Sequence, residues 1–131
     1  MGTARFRQSV LTGKHNLDQL FGGGRFLSGP GISIRVLQRD AEASHEGTRF
    51  VVCVSRKTGK AVRRNRLRRI TRESLDPMIP DIRTGHFVAL FPGRSFSQQT
   101  PDDRSRALSG LLKKARLLNQ NRDQSAPGGK E

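Results

Sequence analysis

The sequence is poor in the residues that build disulfides and membrane spans. Its 131 residues include a single cysteine, Cys53, which cannot form an internal disulfide, so a reducing cytoplasm is the expected location. No apolar run approaches the roughly 20 residues that a membrane helix needs. Residues 1–20 also lack the continuous apolar centre of a secretory signal. We therefore predict a cytoplasmic chain that does not bind or cross a membrane.

Acidic residues and histidines are scarce, which argues against a catalytic centre built by the protein. The 11 acidic residues are scattered, and no two are spaced to hold a two-metal site on one element. The 3 histidines lie apart, with no His-x-x-x-His or Cys-x-x-Cys spacing for zinc. The glycines at 22–24 are not followed by a Lys-Ser/Thr pair, so a phosphate-cradling P-loop is not predicted. The sequence predicts no catalytic residue and no metal bound by the protein alone.

Positive charge is what the sequence has in excess. Lysine and arginine number 25 against the 11 acids, a net charge of +14, and the sequence pI is near 11.7. That balance points to a polyanionic partner, and nucleic acid is the leading class once a membrane role is set aside.

The charge is concentrated in residues 55–73, SRKTGKAVRRNRLRRITRE, which hold seven arginines and two lysines but one acid, Glu73. A folded domain does not bury that much charge, so this stretch must lie at the surface. A merely solvated basic helix interleaves acids at i,i+4 to offset repulsion, and this one has almost none. We therefore interpret the stretch as a surface that binds a polyanion.

A helix is predicted over residues 61–75, because good helix formers run there without a proline, after Gly59 and before Pro77. At about 100° per residue, one face carries arginines four positions apart, and Leu67 and Ile70 lie mostly opposite. The arginines of that predicted outward face are Arg64, Arg68 and Arg72.

Other segments predict an α+β domain. Residues 15–21 form an amphipathic helix, with Asn16 as a possible cap. Strands are predicted around residues 32–36, 50–55 and 86–91, and the middle one, apolar on both sides, is expected to be central. Thr100 caps a last helix. Its core-facing stripe is Leu108, Leu111, Leu112, Ala115 and Leu118.

The predicted architecture is a single layer of helices on a small mixed sheet, in the order α-β-β-α-β-α, with a β-α-β crossover around the arginine-rich helix. General chirality rules make such a crossover right-handed. We divide the chain into a flexible basic N-terminus at 1–12, an RNA-binding domain at 13–118 and a disordered polar tail at 119–131.

A more specific signal lies in the order of residues within this stretch. KTGKAV at residues 57–62 leads into RNRLRRI at residues 64–70. This motif resembles the signature of the protein component of bacterial ribonuclease P, which trims the 5′ leader from precursor tRNA, and the resemblance extends over roughly residues 11–118. It implies a left-handed crossover, an exception to the general rule. It also implies that a catalytic RNA subunit carries the active site and the Mg²⁺ ions of the holoenzyme.

The resemblance also implies two binding sites. The residues that it places against the catalytic RNA are Lys57, Lys60, Arg64, Asn65, Arg66, Arg68, Arg69 and Arg72. A cleft between the first helix and the sheet would take the single-stranded leader of precursor tRNA. Its expected residues are Leu17, Phe21, Arg35, Val52 and Val54. Leu17 stands where the family usually has phenylalanine, and Arg35 where some members have tyrosine. By periodicity, Phe21 fits the cleft and the core equally well, and Val52 and Val54 also fit the core.

Two other classes of function fit the charge and size. A structural RNA-binding protein of the ribosomal kind, with no role in cleavage, is the main alternative, and the motif at 57–72 is what favours ribonuclease P over it. A DNA-binding helix-turn-helix is disfavoured, because no second helix is predicted close before the arginine-rich one.

Overall fold

Four strands form one mixed sheet that organises the part of the chain described by the computed structural model, residues 3–118. The predicted tail at 119–131 lies outside these residues. The elements, in chain order, are α1 (Ala4–Arg7), α2 (Lys14–Gly23), β1 (Arg25–Gly29), β2 (Ile32–Gln38), β3 (Arg49–Val52), α3 (Ala61–Leu75), β4 (His86–Pro92), α4 (Arg94–Gln98) and α5 (Pro101–Lys114).

The strand order in the sheet is β1-β2-β4-β3, with β1, β2 and β4 antiparallel and β3 parallel to β4. The α+β class, the mixed sheet and the β3-α3-β4 crossover are therefore confirmed. The expectation that residues 50–55 form a central strand is wrong, because β3 is the last of the four strands, and only a short bridge from Val10 to Phe50 lies on its outer side. Its apolar side chains on both sides reflect helices packed on both faces of the sheet. β1 was not predicted, because this edge strand is mostly exposed and lacks a clear apolar alternation.

The main core lies on the face of the sheet that α3 and α5 cover. Ile34, Val88 and Leu90 of the sheet are fully buried there. Helix α5 begins as predicted, because the Thr100 hydroxyl accepts a hydrogen bond from the Asp103 backbone N–H at 3.1 Å. All five residues of its predicted stripe are buried in this core.

Helix α2 covers the opposite face of the sheet. Leu20 of α2 packs there with Leu11, Phe87 and Ala89 in a second, smaller cluster. Gly24 permits this approach, because a Cβ at that position would lie 2.7 Å from Cγ of Arg35. Helices thus lie on both faces, which corrects the single layer that the sequence predicted.

The start of α2 also differs from the expectation. Its N-terminal cap is Gly13, whereas Asn16 lies inside the first turn and donates its side-chain N–H to the Thr12 carbonyl at 3.0 Å. Asn16 is therefore not the cap. None of the helices in residues 3–118 is long and apolar enough to cross a membrane.

The described part of the predicted flexible N-terminus packs against the domain. Phe6 is only 2% exposed, and its backbone N–H donates to the buried carboxylate of Asp76 at 2.8 Å. Further along, the Phe50 N–H donates to the Ser9 carbonyl, and the Leu11 N–H donates to the Phe50 carbonyl. Residues 3–12 thus extend the sheet and the core, which moves the boundary of the domain toward the N-terminus.

Candidate nucleic-acid interface

A tight turn sets the beginning of α3. The Ser55 hydroxyl accepts a hydrogen bond from the Lys57 N–H at 3.1 Å, and the Thr58 carbonyl accepts one from the Arg94 guanidinium at 3.3 Å. Gly59 follows with φ of 143°, in a region that side chains disfavour. The turn therefore presents Lys57 and Lys60 beside the first residues of the helix.

The helix α3 spans Ala61–Leu75, as predicted, and one of its faces is buried. Leu67, Ile70 and Leu75 join the main core, and the predicted amphipathic character is confirmed. Thr71 is also fully buried, and its hydroxyl donates to the Leu67 carbonyl at 2.8 Å. This packing holds the opposite face of the helix toward solvent.

We define the basic face as the eight residues that the resemblance placed against the catalytic RNA. Six of them are exposed, while Arg64 and Arg68 are half-buried at its margin, so the outward face is centred away from these two arginines. The Arg68 guanidinium donates to the Asn65 side-chain oxygen at 3.0 Å. Arg56 and Arg63 are also exposed and were missed, although their charge alone marked them as candidates.

The arginines of the basic face have no acidic partner at ion-pair distance among the residues that the structure describes. Within residues 3–118, ion pairs form on other elements, such as Lys14–Asp18 and Arg106–Asp103, and no carboxylate lies within 4.0 Å of an α3 guanidinium. Like charges at i,i+4 repel one another on a helix. The positive charge of α3 is thus left available to an external anion.

Three phenylalanines form an exposed aromatic cluster on the sheet face that α2 covers. Phe91 lies between Phe21 and Phe26, with 6.2 Å between ring centroids in both pairs. Phe21 is 42% exposed and Phe26 is 55% exposed, so Phe21 is not a core residue. The Arg35 guanidinium lies 5.5 Å from the centre of the Phe26 ring and donates to the Gly24 carbonyl at 3.0 Å. The cluster thus presents aromatic surface beside a positive charge.

Three of the five predicted cleft residues lie on this face, namely Leu17, Phe21 and Arg35. Val52 and Val54 do not, because they pack against the main core on the other face, and their assignment to the cleft is wrong. Val51 and Cys53 occupy the cleft face instead. The alternation of side chains along this segment shows that Val51 and Cys53 belong together on one face, because residues 50, 52 and 54 share one side and residues 51 and 53 share the other.

Cys53 lies on the same face of the sheet as the aromatic cluster. Its thiol is half-buried and packs against the smaller hydrophobic cluster that α2 forms with the sheet. Burial raises the pKa of Cys53, and the nearby positive charge of Arg68 opposes that rise. Arg68, at the margin of the basic face, thus exerts its charge on the Cys53 thiol.

The acidic and histidine residues do not assemble into a metal centre in the described part of the chain. No group of three or more His, Cys, Asp or Glu side chains is placed to hold a metal ion there. Asp76, the one buried acid of residues 3–118, accepts hydrogen bonds from the Phe6 N–H at 2.8 Å and from the Arg5 guanidinium at 3.3 Å. These residues therefore do not fit a resident catalytic Mg²⁺.

Comparison with known proteins identifies the family. The family model for ribonuclease P matches residues 6–116. Among solved structures, the Staphylococcus aureus RNase P protein superposes with a TM-score of 0.70 at 19% identity, over 85% of this chain and 98% of that one. The Thermotoga maritima RNase P protein gives 0.68 at 24% identity, over 80% of this chain and 96% of that one. No curated protein sequence matches significantly. The chain therefore belongs to the ribonuclease P protein family, the protein component of the ribonucleoprotein endoribonuclease that matures the 5′ end of tRNA.

Proposed function

We propose that this ribonuclease P protein binds the catalytic RNA through the basic face of α3 and the single-stranded 5′ leader of precursor tRNA at the aromatic cluster. The observation that carries the proposal is that one fold presents two exposed surfaces of different chemistry. One is an arginine face without an acidic partner in residues 3–118, and the other is an exposed group of rings.

The chemistry of the basic face suits structured RNA. Guanidinium groups donate paired, charge-assisted hydrogen bonds to phosphate oxygens and also stack on bases. Arg66 and Arg69 are exposed, and the buried side of α3 holds them in place without engaging their charges. Binding through phosphates would make affinity steeply dependent on salt.

The aromatic cluster suits a single strand. Unpaired bases stack on aromatic rings and guanidinium planes, largely without regard to sequence. Phe21 and Phe26 offer exposed rings, and Arg35 adds positive charge beside them. Leader binding here would favour precursor over mature tRNA, because only the precursor carries the extra strand.

We place catalysis and its magnesium ions on the RNA subunit. Magnesium supplies charge stabilisation and an activated water in such hydrolysis. The protein's own contribution is positive charge that offsets phosphate repulsion where RNA and substrate meet. We place this activity in the cytoplasm, in keeping with a single unpaired cysteine.

Reconstitution tests this function directly. Purified protein without RNA is expected to show no magnesium-dependent cleavage of precursor tRNA. Added to a bacterial ribonuclease P RNA, it should stimulate cutting at the mature 5′ end, most strongly at low magnesium. High magnesium should reduce that advantage by screening the phosphates itself. Specific cleavage by the protein alone, or no stimulation at any magnesium concentration, would contradict the proposal.

If the aromatic cluster binds the leader, loss of the Phe21 ring should weaken binding of precursor tRNA but not of mature tRNA. Replacing Phe21 with alanine should weaken precursor tRNA binding to the holoenzyme by about 1–3 kcal/mol, the range for one base–aromatic stack. Mature tRNA binding should be unchanged. Phe21→Leu is the matched control, since it keeps an apolar side chain and removes the ring. If Phe21→Ala weakens precursor tRNA binding and Phe21→Leu does not, the side chain contributes apolar packing rather than base stacking.

A further inference from the structure

A second concentration of positive charge lies at the end of the sheet where β2 finishes and β4 begins. It surrounds a cavity of about 560 Å³ between the sheet and the C-terminal end of α5. Arg25 pairs with Val36, a residue of the main core, so this cavity is on the α5 face, opposite the aromatic cluster. Because β3 runs parallel to β4, the turn that begins α3 lies at the other end of the sheet. We call this cavity the α5 pocket.

Four cationic side chains and one histidine line the α5 pocket, and no acidic residue of the described chain lines it. They come from three separate parts of the fold, namely Arg25 from β1, Arg83 and His86 from the start of β4 and its preceding loop, and Lys114 and Arg116 from the end of α5. Bringing like charges together around one concavity is unfavourable unless an anion offsets their repulsion.

The backbone at Arg116 supports this reading independently. After α5, the Arg116 N–H donates to the Lys113 carbonyl and the Leu117 N–H to the Leu112 carbonyl, the pattern of a Schellman C-cap. The residue at this position usually is glycine, because φ is positive, and Arg116 has φ of 63°. An arginine is held where glycine would be less strained, with its side chain at the pocket. Such strain is typical of functional positions.

We propose that the α5 pocket binds a phosphate group, at a site separate from the basic face of α3. Arg25 is partly committed, since its guanidinium donates to the Ala115 carbonyl at 3.1 Å, and this bond fixes the wall of the pocket. Arg83, Lys114 and Arg116 are exposed and supply charge-assisted donors to the phosphate oxygens.

His86 provides an internal reporter of occupancy. Burial lowers the pKa of His86, the charges of Arg83 and Arg25 lower it further, and a hydrogen bond between its Nδ1 and the Thr84 carbonyl at 2.8 Å acts in the opposite direction. An anion in the pocket should raise this pKa by offsetting the arginine charges and stabilising the imidazolium. His15 and His45 lie on other segments and serve as references in the same NMR titration.

Arg116→Gly separates binding from folding. The substitution removes a charge at a backbone position that favours glycine, so the unfolding temperature should be unchanged or higher. Affinity for inorganic phosphate should fall about tenfold, and the phosphate-dependent rise in the His86 pKa should shrink. Arg106→Gln is the matched control, because it removes one charge from an exposed position of α5 outside the pocket.

Binding to ribonuclease P RNA identifies the source of the phosphate. A decrease in the salt slope of about 0.7–0.9 for Arg116→Gly, absent from Arg106→Gln, assigns the pocket to one RNA phosphate. If Arg116→Gly weakens binding of inorganic phosphate but leaves the salt slope of RNA binding unchanged, the pocket is assigned to a free phosphate compound. No response of His86 to phosphate, or equal phosphate affinities of the two variants, overturns the proposal. Because the phosphate titration uses protein without RNA, its outcome is independent of the function in tRNA maturation.

Discussion

Replacing Arg66 and Arg69 together with glutamine is expected to weaken binding to the ribonuclease P RNA by roughly a hundredfold. Both side chains are exposed on α3, and a charge-assisted hydrogen bond contributes at least about 1.5 kcal/mol, so two lost contacts total about 3 kcal/mol. The salt slope of binding should fall by about 1.4 to 1.8, because the loss of two phosphate contacts reduces the number of counterions released on binding. Affinity measured across a salt series checks both expectations.

The double variant Lys14→Gln/Arg106→Gln is the matched control. It lowers the net charge by the same amount at exposed residues of α2 and α5, each paired with an aspartate. Neither variant should change the free energy of unfolding by more than about 0.5 kcal/mol per position, as is usual for surface sites. Equal weakening of RNA binding by the two variants would show that overall charge, rather than the basic face, drives association.

Phe50→Ala is expected to cost about 3–5 kcal/mol of stability, a large part of the margin of a domain of this size. The Phe50 side chain is fully buried, with its ring centroid 6.2 Å from that of Phe6. Its backbone also receives the N-terminal segment, through hydrogen bonds with Ser9 and Leu11. The cavity would therefore weaken the main core and the docking of residues 3–12 at the same place.

Chemical denaturation of Phe50→Ala and Phe26→Ala tests this expectation. The two substitutions remove the same side chain, but Phe26 is 55% exposed, so its loss should cost less than about 1 kcal/mol. Hydrogen exchange of the Leu11 amide should rise in the Phe50 variant beyond the level set by global unfolding. Similar stability losses for both variants would contradict the assignment of the core.

The arginine-rich helix could be predicted from sequence because its signals are local. Gly59 and Pro77 bound the helical run, and the spacing of Leu67 and Ile70 identifies the buried face. The same spacing placed Arg64 and Arg68 at the centre of the outward face, whereas both are half-buried. The exposure of these two arginines depends on how closely the rest of the domain approaches the helix. Helical periodicity predicts the side on which a residue lies and gives no information about that distance.

The site on the sheet was less predictable, because alternation defines two sides of a strand without saying what covers each. Both sides of β3 carry apolar side chains, so alternation alone did not show which side faces the cleft. Val52 and Val54 were assigned to the cleft, whereas Val51 and Cys53 lie on that face. Phe26 went unnoticed because β1 is an exposed edge strand. Phe91 belongs to a correctly predicted strand, but its place between Phe21 and Phe26 depends on long-range pairing.

The sequence by itself determined the family, the positive charge, the α+β class and the extent of α3. Each of these is a matter of composition, of residue order or of contacts within one helical turn. Tertiary structure decided the strand order, the docking of residues 3–12 and the face of the sheet that carries the rings. It also brought Arg25, Arg83, Lys114 and Arg116 around one pocket. The physical reason is that these features arise from packing between distant segments, where burial of apolar surface selects one arrangement among several that the local pattern permits equally.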